Sequence, residues 1–156
     1  MNGVNHVVTS VSGYAIAAHY FSASTPLPEF SIPSAIIVAI GALFPDLDHH
    51  QSRLGRLVPF ISMPLQAILG HRGAFHSLLA LGLIFWFCRD WHSPTLLAFG
   101  FGFIGHLVGD MATKSGLSLF WPLGGRVRLP VLVARNQFFE WLTTGCVFIG
   151  AILIAT

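Results

Sequence analysis

"IPSAIIVAIGALFPDLDHHQSR", residues 32–53, is the stretch on which the fold turns. From Ile32 to Phe44 it is almost wholly apolar. Pro45 then ends the run, and Asp46, Asp48, His49 and His50 follow at once. Only 9% of this 156-residue chain is charged, against about a quarter in a soluble globular domain. The chain is 54% hydrophobic, with a mean hydropathy of +0.72. Such a composition reads as an integral membrane protein. In that setting two aspartates at the mouth of an apolar segment call for a reason.

Working outward, five segments are apolar enough to cross a bilayer: roughly Val4 to Phe21, Ile32 to Phe44, Ala74 to Cys88, Pro94 to Val108 and Gln137 to Ala155. Several fall short of the ~20 residues that a spanning helix usually needs. Polar residues at their ends must then count as part of the helix, with local thinning of the bilayer. The stretch Arg56 to Gly70 is apolar but carries two prolines, Pro59 and Pro64, and reads as an interfacial or re-entrant helix. The expectation is an all-α, polytopic membrane helical bundle. It has about five transmembrane helices plus one interfacial or re-entrant helix, in a single integral membrane domain over residues 1–156.

Other classes are set aside on composition. A formal net charge of +2 without a basic run gives no footing for nucleic acid. Cys88 and Cys146 each lie in an apolar stretch and read as small core residues, not as a disulfide or a metal pair. No basic residue precedes the first apolar segment, which argues against a cleavable signal peptide.

The basic residues set the sidedness. With five spans, the loops 46–73 and 109–136 share a side with the N-terminus. They hold Arg53, Arg56, Arg72, Lys114, Arg126, Arg128 and Arg135, while the opposite side holds only Arg89. By the positive-inside rule the N-terminus is cytoplasmic and the C-terminus lies across the membrane. The same topology gathers His6, Asp46, Asp48, His49, His50, His71, His76, His106 and Asp110 at the cytoplasmic end. Only His19 and His92 fall on the far side.

Each polar motif has a plain reading when taken alone. "PDLD" fits an interfacial turn, and "HRGAFHS" (residues 71–77) fits a loop followed by a helix cap. "GHLVGD" (residues 105–110) is harder to explain away. His106 and Asp110 are four apart and share one helix face. An aspartate near the bilayer centre costs about 2.5–3.5 kcal/mol, less toward the interface, and is kept for function more often than for packing.

Together the motifs have the chemistry of a metal site. Neutral imidazole and carboxylate hold catalytic zinc, or a manganese- or iron-type ion. Asp46, Asp48 and Asp110 bring three negative charges to one place; unpaired, they would repel one another. One divalent cation offsets two of them, and two cations would be satisfied with Glu140 added, so one or two ions are both open. The expected ligands are Asp46, Asp48, His71, His76, His106 and Asp110. His6 is a further ligand or a support to one. His49 is the candidate general base, since an imidazole titrates near working pH. Arg72 suits an anion clamp, and equally a residue that only sets topology. Ser77 as a nucleophile is the weaker reading, because no separate activating base is evident. In "SGLSLFWPLGGRVRLP" (residues 115–130), Trp121 suits the membrane interface. Arg126 and Arg128 could meet anionic headgroups at about 1 kcal/mol each, but ordinary positive-inside residues explain them better.

The motifs "PDLDHHQS", "HRGAFHS", "GHLVGD" and "LFWPLGGRVRLP" resemble those of the YdjM family of inner-membrane proteins, which are regarded as metal-dependent hydrolases. The resemblance runs from His6 to about Glu140. It implies family positions at His6, Asp46, Asp48, His49, His71, Arg72, Gly73, His76, Ser77, His106, Asp110, Trp121, Pro122 and Glu140, with Ser77, Trp121 and Glu140 supporting the ligands or the substrate. The chain departs from the pattern at His50, where the family commonly has Pro, and at Phe75, where it commonly has Thr. The ligand types, including an H-x-x-x-D helix, are also similar to those of the zinc-dependent phospholipase C and P1 nuclease superfamily, which implies phosphoester substrates.

The expected function is therefore a metal-dependent hydrolase in the bacterial inner membrane, using zinc, manganese or iron. It would act at the cytoplasmic face on a phosphoester of a lipid or lipid-linked molecule. Membrane lipid is the expected partner and the oligomeric state is open. The rival readings are a metal-ion or proton transporter, a metal-binding membrane protein without hydrolase activity, a haem protein and an inert scaffold. The gathering of polar groups at one face argues against a transport path, and the carboxylate density argues against haem.

Overall fold

The computed structural model describes residues 2–69, 73–90, 92–129 and 137–155 of the chain. Among these, seven α-helices make up the architecture: α1 (Gly3–Phe21), α2 (Ile32–Leu43), α3 (Arg53–Leu57), α4 (Pro59–Leu69), α5 (Leu78–Cys88), α6 (Pro94–Met111) and α7 (Gln137–Ala155). Short 3-10 turns at Phe44–Asp48 and Ala74–His76 join α2 to α3 and lead into α5. No β-strand occurs among the described residues. A single antiparallel bridge, Leu117 with Val127, closes the loop after α6.

Local chemistry sets the helix starts. The Asn2 side chain accepts from the Val4 N–H to begin α1. Ser31 and Ser34 cap α2 reciprocally, with Pro33 in the first turn, where its missing N–H costs nothing. Ser77 is extended and its hydroxyl accepts from the Ala80 N–H, so α5 begins at Leu78 although the apolar run opens at Ala74. The proline-bearing stretch after Arg53 is two helices, not one. Val58 leaves helical geometry ahead of Pro59, as a residue preceding proline tends to. Helix α6 runs past Val108 to Met111, which keeps His106 and Asp110 on one continuous helix.

Helices α1, α2 and α6 pack together, and α7 lies against α1. The tightest pair is α2 with α6. A Cβ added at Gly41 would collide with the Phe99 carbonyl, and one added at Gly102 with the Val38 carbonyl. The two glycines let the backbones approach as the small residues of membrane helix pairs do. Two apolar clusters fill the interior. Tyr14, Ala18, Val38 and Ala98 lie toward one end, and Phe103, Leu107 and Leu117 toward the other. The Tyr14 hydroxyl donates to the Pro28 carbonyl at 2.7 Å, tying α1 to the loop before α2.

The distribution of residue types is the reverse of a water-soluble domain. Asn5, His6, Ser10, Ser12, Asp48, His76, His106, Asp110 and Thr144 are buried. Ile36, Ile40, Trp86, Phe87, Ile149 and Leu153 are exposed. Cys88 and Cys146 belong with this outer surface. The expectation that they are core residues is overturned, because α5 and α7 each pack on one side only and turn apolar side chains outward. Among the described residues, one helix, Pro94–Met111, is long and apolar enough by itself to cross a membrane; Leu78–Cys88 and the Glu140–Ile154 part of α7 are shorter apolar stretches.

Candidate metal centre

The polar cluster is assembled from four places. Helix α1 brings His6, the turn after α2 brings Asp46 and Asp48, the turn before α5 brings His76, and the last turns of α6 bring His106 and Asp110. All are buried except Asp46, whose side chain is 18% exposed. Asp46 is thus the edge of the cluster nearest solvent.

Imidazole orientation is fixed from behind. The His106 Nδ1 lies 2.7 Å from the Ala42 carbonyl oxygen. A carbonyl can only accept, so Nδ1 carries the proton and Nε2 is left with a lone pair. The His76 Nδ1 lies 3.0 Å from Asp48 Oδ2, which likewise favours a proton on Nδ1 and a lone pair on Nε2 when the ring is neutral. These two Nε2 atoms face one another at 3.2 Å. Around them lie Asp46 Oδ1, 3.7 Å from His76 Nε2 and 3.8 Å from His106 Nε2, and Asp110 Oδ2, 3.8 Å from each. Two nitrogen lone pairs and two carboxylates converging in a buried space repel unless a cation sits between them. Ligand atoms about 2.0–2.1 Å from a tetrahedral ion would stand about 3.3–3.4 Å apart. The His–His and His–Asp separations bracket that value, so these buried groups could hold a divalent ion.

His6 adds a fifth group. Its Nε2 is 3.3 Å from Asp110 Oδ1, and its ring stacks on His106 with centroids 3.9 Å apart and planes inclined by 13°. Its Nδ1 is buried and has no hydrogen-bond partner among the described residues. Two ligand triads result, His6–His106–Asp110 and Asp46–His76–His106, sharing His106. Asp48 was expected among the ligands. Its Oδ2 meets Nδ1 of His76 at 3.0 Å, on the side of the ring away from the other donors, a position from which a carboxylate can orient an imidazole.

Asp46 lies outside the helices. Burial pushes its carboxyl up, but the neighbouring imidazoles of His76, His106 and His6 outweigh this and hold it at about 2. It is therefore a carboxylate throughout the neutral range.

A polar cavity of about 360 Å³ opens over Asp46 and Asp110. It is lined also by Asn2, His49, Gln51, Ser52 and Arg53. His49 thus borders the space above the cluster, as a general base would need to. His50 is drawn elsewhere. Its backbone N–H and its Nδ1 reach the Gln66 amide oxygen at 3.0 and 2.7 Å, tying the turn to α4. The Ser77 hydroxyl donates to the Ala74 carbonyl at 2.6 Å and caps α5, which accounts for it structurally. Glu140 accepts from the Asn2 N–H and the Asn5 amide, both at 3.3 Å, and so braces the N-terminus of α1 beside His6. Trp121 is half-buried in the loop after α6 and is not among the residues that line the cavity. His71 and Arg72 lie outside the described residues. Sequence reasoning missed Arg53 as a site residue and treated it as a topology marker. Its position seven residues after Asp46, in the same loop, was the available signal.

A family model described as "YdjM inner membrane protein" matches residues 1–156. The chain is 32% identical over 144 residues to YvsG of Bacillus subtilis, a match covering 91% of this chain and 86% of that protein. It is 40% identical over 112 residues to the inner membrane protein YdjM of Escherichia coli, and equally to that of Shigella flexneri. Those matches cover 67% of this chain and 56% of the YdjM proteins' own length. No solved structure matches the chain.

Proposed function

This chain belongs to the YdjM family of inner membrane proteins, and from that premise we propose that it is a metal-dependent hydrolase embedded in the bacterial inner membrane. Its substrate would be a phosphoester of a lipid or lipid-linked molecule, met at the cytoplasmic face. The proposed frame is a single-domain bundle of about five spans with the N-terminus cytoplasmic. The outward-facing apolar residues and buried polar ones of α1, α2, α5, α6 and α7 support that frame. Where a helix such as the 11-residue α5 is too short for the bilayer, local thinning would accommodate it.

The observation that carries the metal reading is the pair of Nε2 atoms facing at 3.2 Å between two carboxylates. We assign Asp46, His76, His106 and Asp110 as ligands, with His6 as a fifth or as part of a second site. Zinc is the first choice, since two imidazoles and two carboxylates suit it; manganese or iron would also be accepted. When bound, a divalent ion supplies positive charge to phosphoryl oxygens and acidifies water. The chain's own residues do the rest. Asp48 and the Ala42 carbonyl hold the imidazoles in their ligating tautomers. Phe103 and Leu107 keep bulk water from the interior side. His49 borders the cavity, where it can take a proton from water entering over Asp46. Arg72 is kept as an anion-binding candidate.

The test is metal analysis of the purified chain in detergent, followed by a screen of phosphoester and acyl-ester lipids. About one ion per chain, with phosphate release that stops on chelation and returns on metal add-back, is the expected result. A chain that holds no ion after metal add-back sinks the reading. Metal with no ester cleaved in the screen leaves a metal-binding membrane protein in its place.

A further inference from the structure

The cavity over the cluster is walled by a loop whose shape is over-determined. The Ser52 hydroxyl donates to the Asp46 carbonyl and accepts from the Gly55 N–H, both at 2.8 Å. The Ser52 N–H donates to the His49 carbonyl at 2.9 Å. Gly55 lies so close to that carbonyl that any Cβ would collide with it. The buried Ser62 hydroxyl donates to the Gly55 carbonyl at 2.9 Å, locking α4 onto the loop. This frame fixes the stretch from Asp46 to Gly55 as one piece, with Asp46 at the cluster and Arg53 at the cavity wall.

Among the described residues that line the cavity, Arg53 is the one Lys or Arg side chain. It is exposed, and its guanidinium makes no hydrogen bond or ion pair among the described residues, although Asp46 and Asp110 border the same space. Charge makes the point sharper. Two ligand carboxylates neutralise one divalent ion, so the loaded cluster alone offers an anion no net attraction. A guanidinium at the cavity wall restores it, and its planar fork matches phosphate oxygens in pairs.

We infer that Arg53 is the residue that recognises the substrate's phosphate, held at the mouth of the cluster by the Ser52–Gly55 frame. The inference rests on the metal-dependent hydrolase reading. It concerns a phosphate-class anion, which a lipid headgroup or a water-soluble phosphate could equally supply.

The test uses the full chain in nanodiscs, metal-loaded, with inorganic phosphate as the probe. Phosphate binding is read by calorimetry and metal content by elemental analysis. Arg53→Gln should weaken phosphate at least tenfold and Arg53→Lys by less, both with metal content unchanged. Arg53 is exposed, so neither variant threatens the fold. Equal phosphate affinity in Arg53→Gln and wild type overturns the inference, as does a metal-loaded wild type that does not bind phosphate. Both of those results leave the metal reading standing, whereas absence of metal removes the reading itself. Nanodiscs containing phosphatidic acid separate the two sources. Displacement of inorganic phosphate identifies a lipid headgroup, undisturbed phosphate binding identifies a soluble one, and either upholds Arg53 provided that Arg53→Gln weakens the bound species.

Discussion

His76 and His106 meet Nε2 to Nε2 at 3.2 Å, with their Nδ1 atoms turned to Asp48 and to the Ala42 carbonyl. A single shared proton could bridge the two rings, but its one positive charge would offset only one of the two carboxylates, Asp46 and Asp110, beside them. A divalent ion answers all four groups at once. Replacing either imidazole by alanine, or Asp46 or Asp110 by asparagine, should therefore abolish stoichiometric metal in the purified chain. Elemental analysis of the four variants beside wild type checks this. Retention of a full equivalent in His106→Ala would place the ion elsewhere.

Asp48 should behave differently from the ligands. It touches the back of His76, so Asp48→Asn keeps the donor set and loses only the charge that orients and strengthens one donor. Metal affinity should fall about 10–100-fold, with binding still measurable. Competition against a chelator of known affinity reads this directly. Complete loss, equal to that in His76→Ala, would make Asp48 a ligand after all.

The contrast between Asp46 and Asp48 marks the limit of the sequence. Apolar runs separated the helices, and the H-x-x-x-D spacing put His106 and Asp110 on one face, because helical periodicity is local. Which of two aspartates in "PDLD" faces the donors depends on the 3-10 turn at Phe44–Asp48, a tertiary matter. Nor does any local pattern show that α3 and α4 fold back over that turn. For that reason Arg53 read as a topology marker and His50 had no assignment until Gln66 appeared beside it. The cysteines misled because apolar neighbours imply burial only where water, not lipid, surrounds the bundle.

Acid should strip the metal, and the slope should identify what titrates. Asp46 has a folded pKa lowered to about 2 from an ordinary 3.8. Its charged form is thus favoured above pH 4 and is lost only as pH falls through about 2, so it contributes no slope near neutrality. The imidazole ligands must be free of protons at Nε2 to bind metal. Each ligand imidazole that carries an extra proton in the metal-free protein makes affinity fall by up to about tenfold per pH unit on acidification. Equilibrium dialysis of zinc between pH 5 and pH 8 would show it. An affinity flat down to pH 5 would rule out competition between protons and metal at the imidazoles over that range.

Ser77 distinguishes a cap from a nucleophile. Its hydroxyl accepts from Ala80 and donates to Ala74. Ser77→Ala should cost about 1 kcal/mol of stability, seen as a lowered melting temperature in detergent, while metal content and hydrolysis per folded chain persist. Loss of hydrolysis with metal and fold intact would restore Ser77 as a nucleophile.

The closest helix contact bears on the site through one carbonyl. Gly41 packs on the Phe99 carbonyl, and the next residue, Ala42, supplies the oxygen that holds the His106 Nδ1 proton. Gly41→Ala must push α2 away from α6, because the obstacle is backbone and cannot rotate aside. Overpacking of this kind costs about 1–3 kcal/mol, and here it also stretches the Ala42–His106 bond. Gly41→Ala should therefore lower both the melting temperature and the metal affinity. Gly145, on α7, has open space where a Cβ would go. Gly145→Ala should leave both readouts near wild type, since a Cβ there meets no neighbour. If Gly41→Ala lowered stability while metal affinity held, the α2–α6 contact would be structural only, and the orientation of His106 would not depend on it.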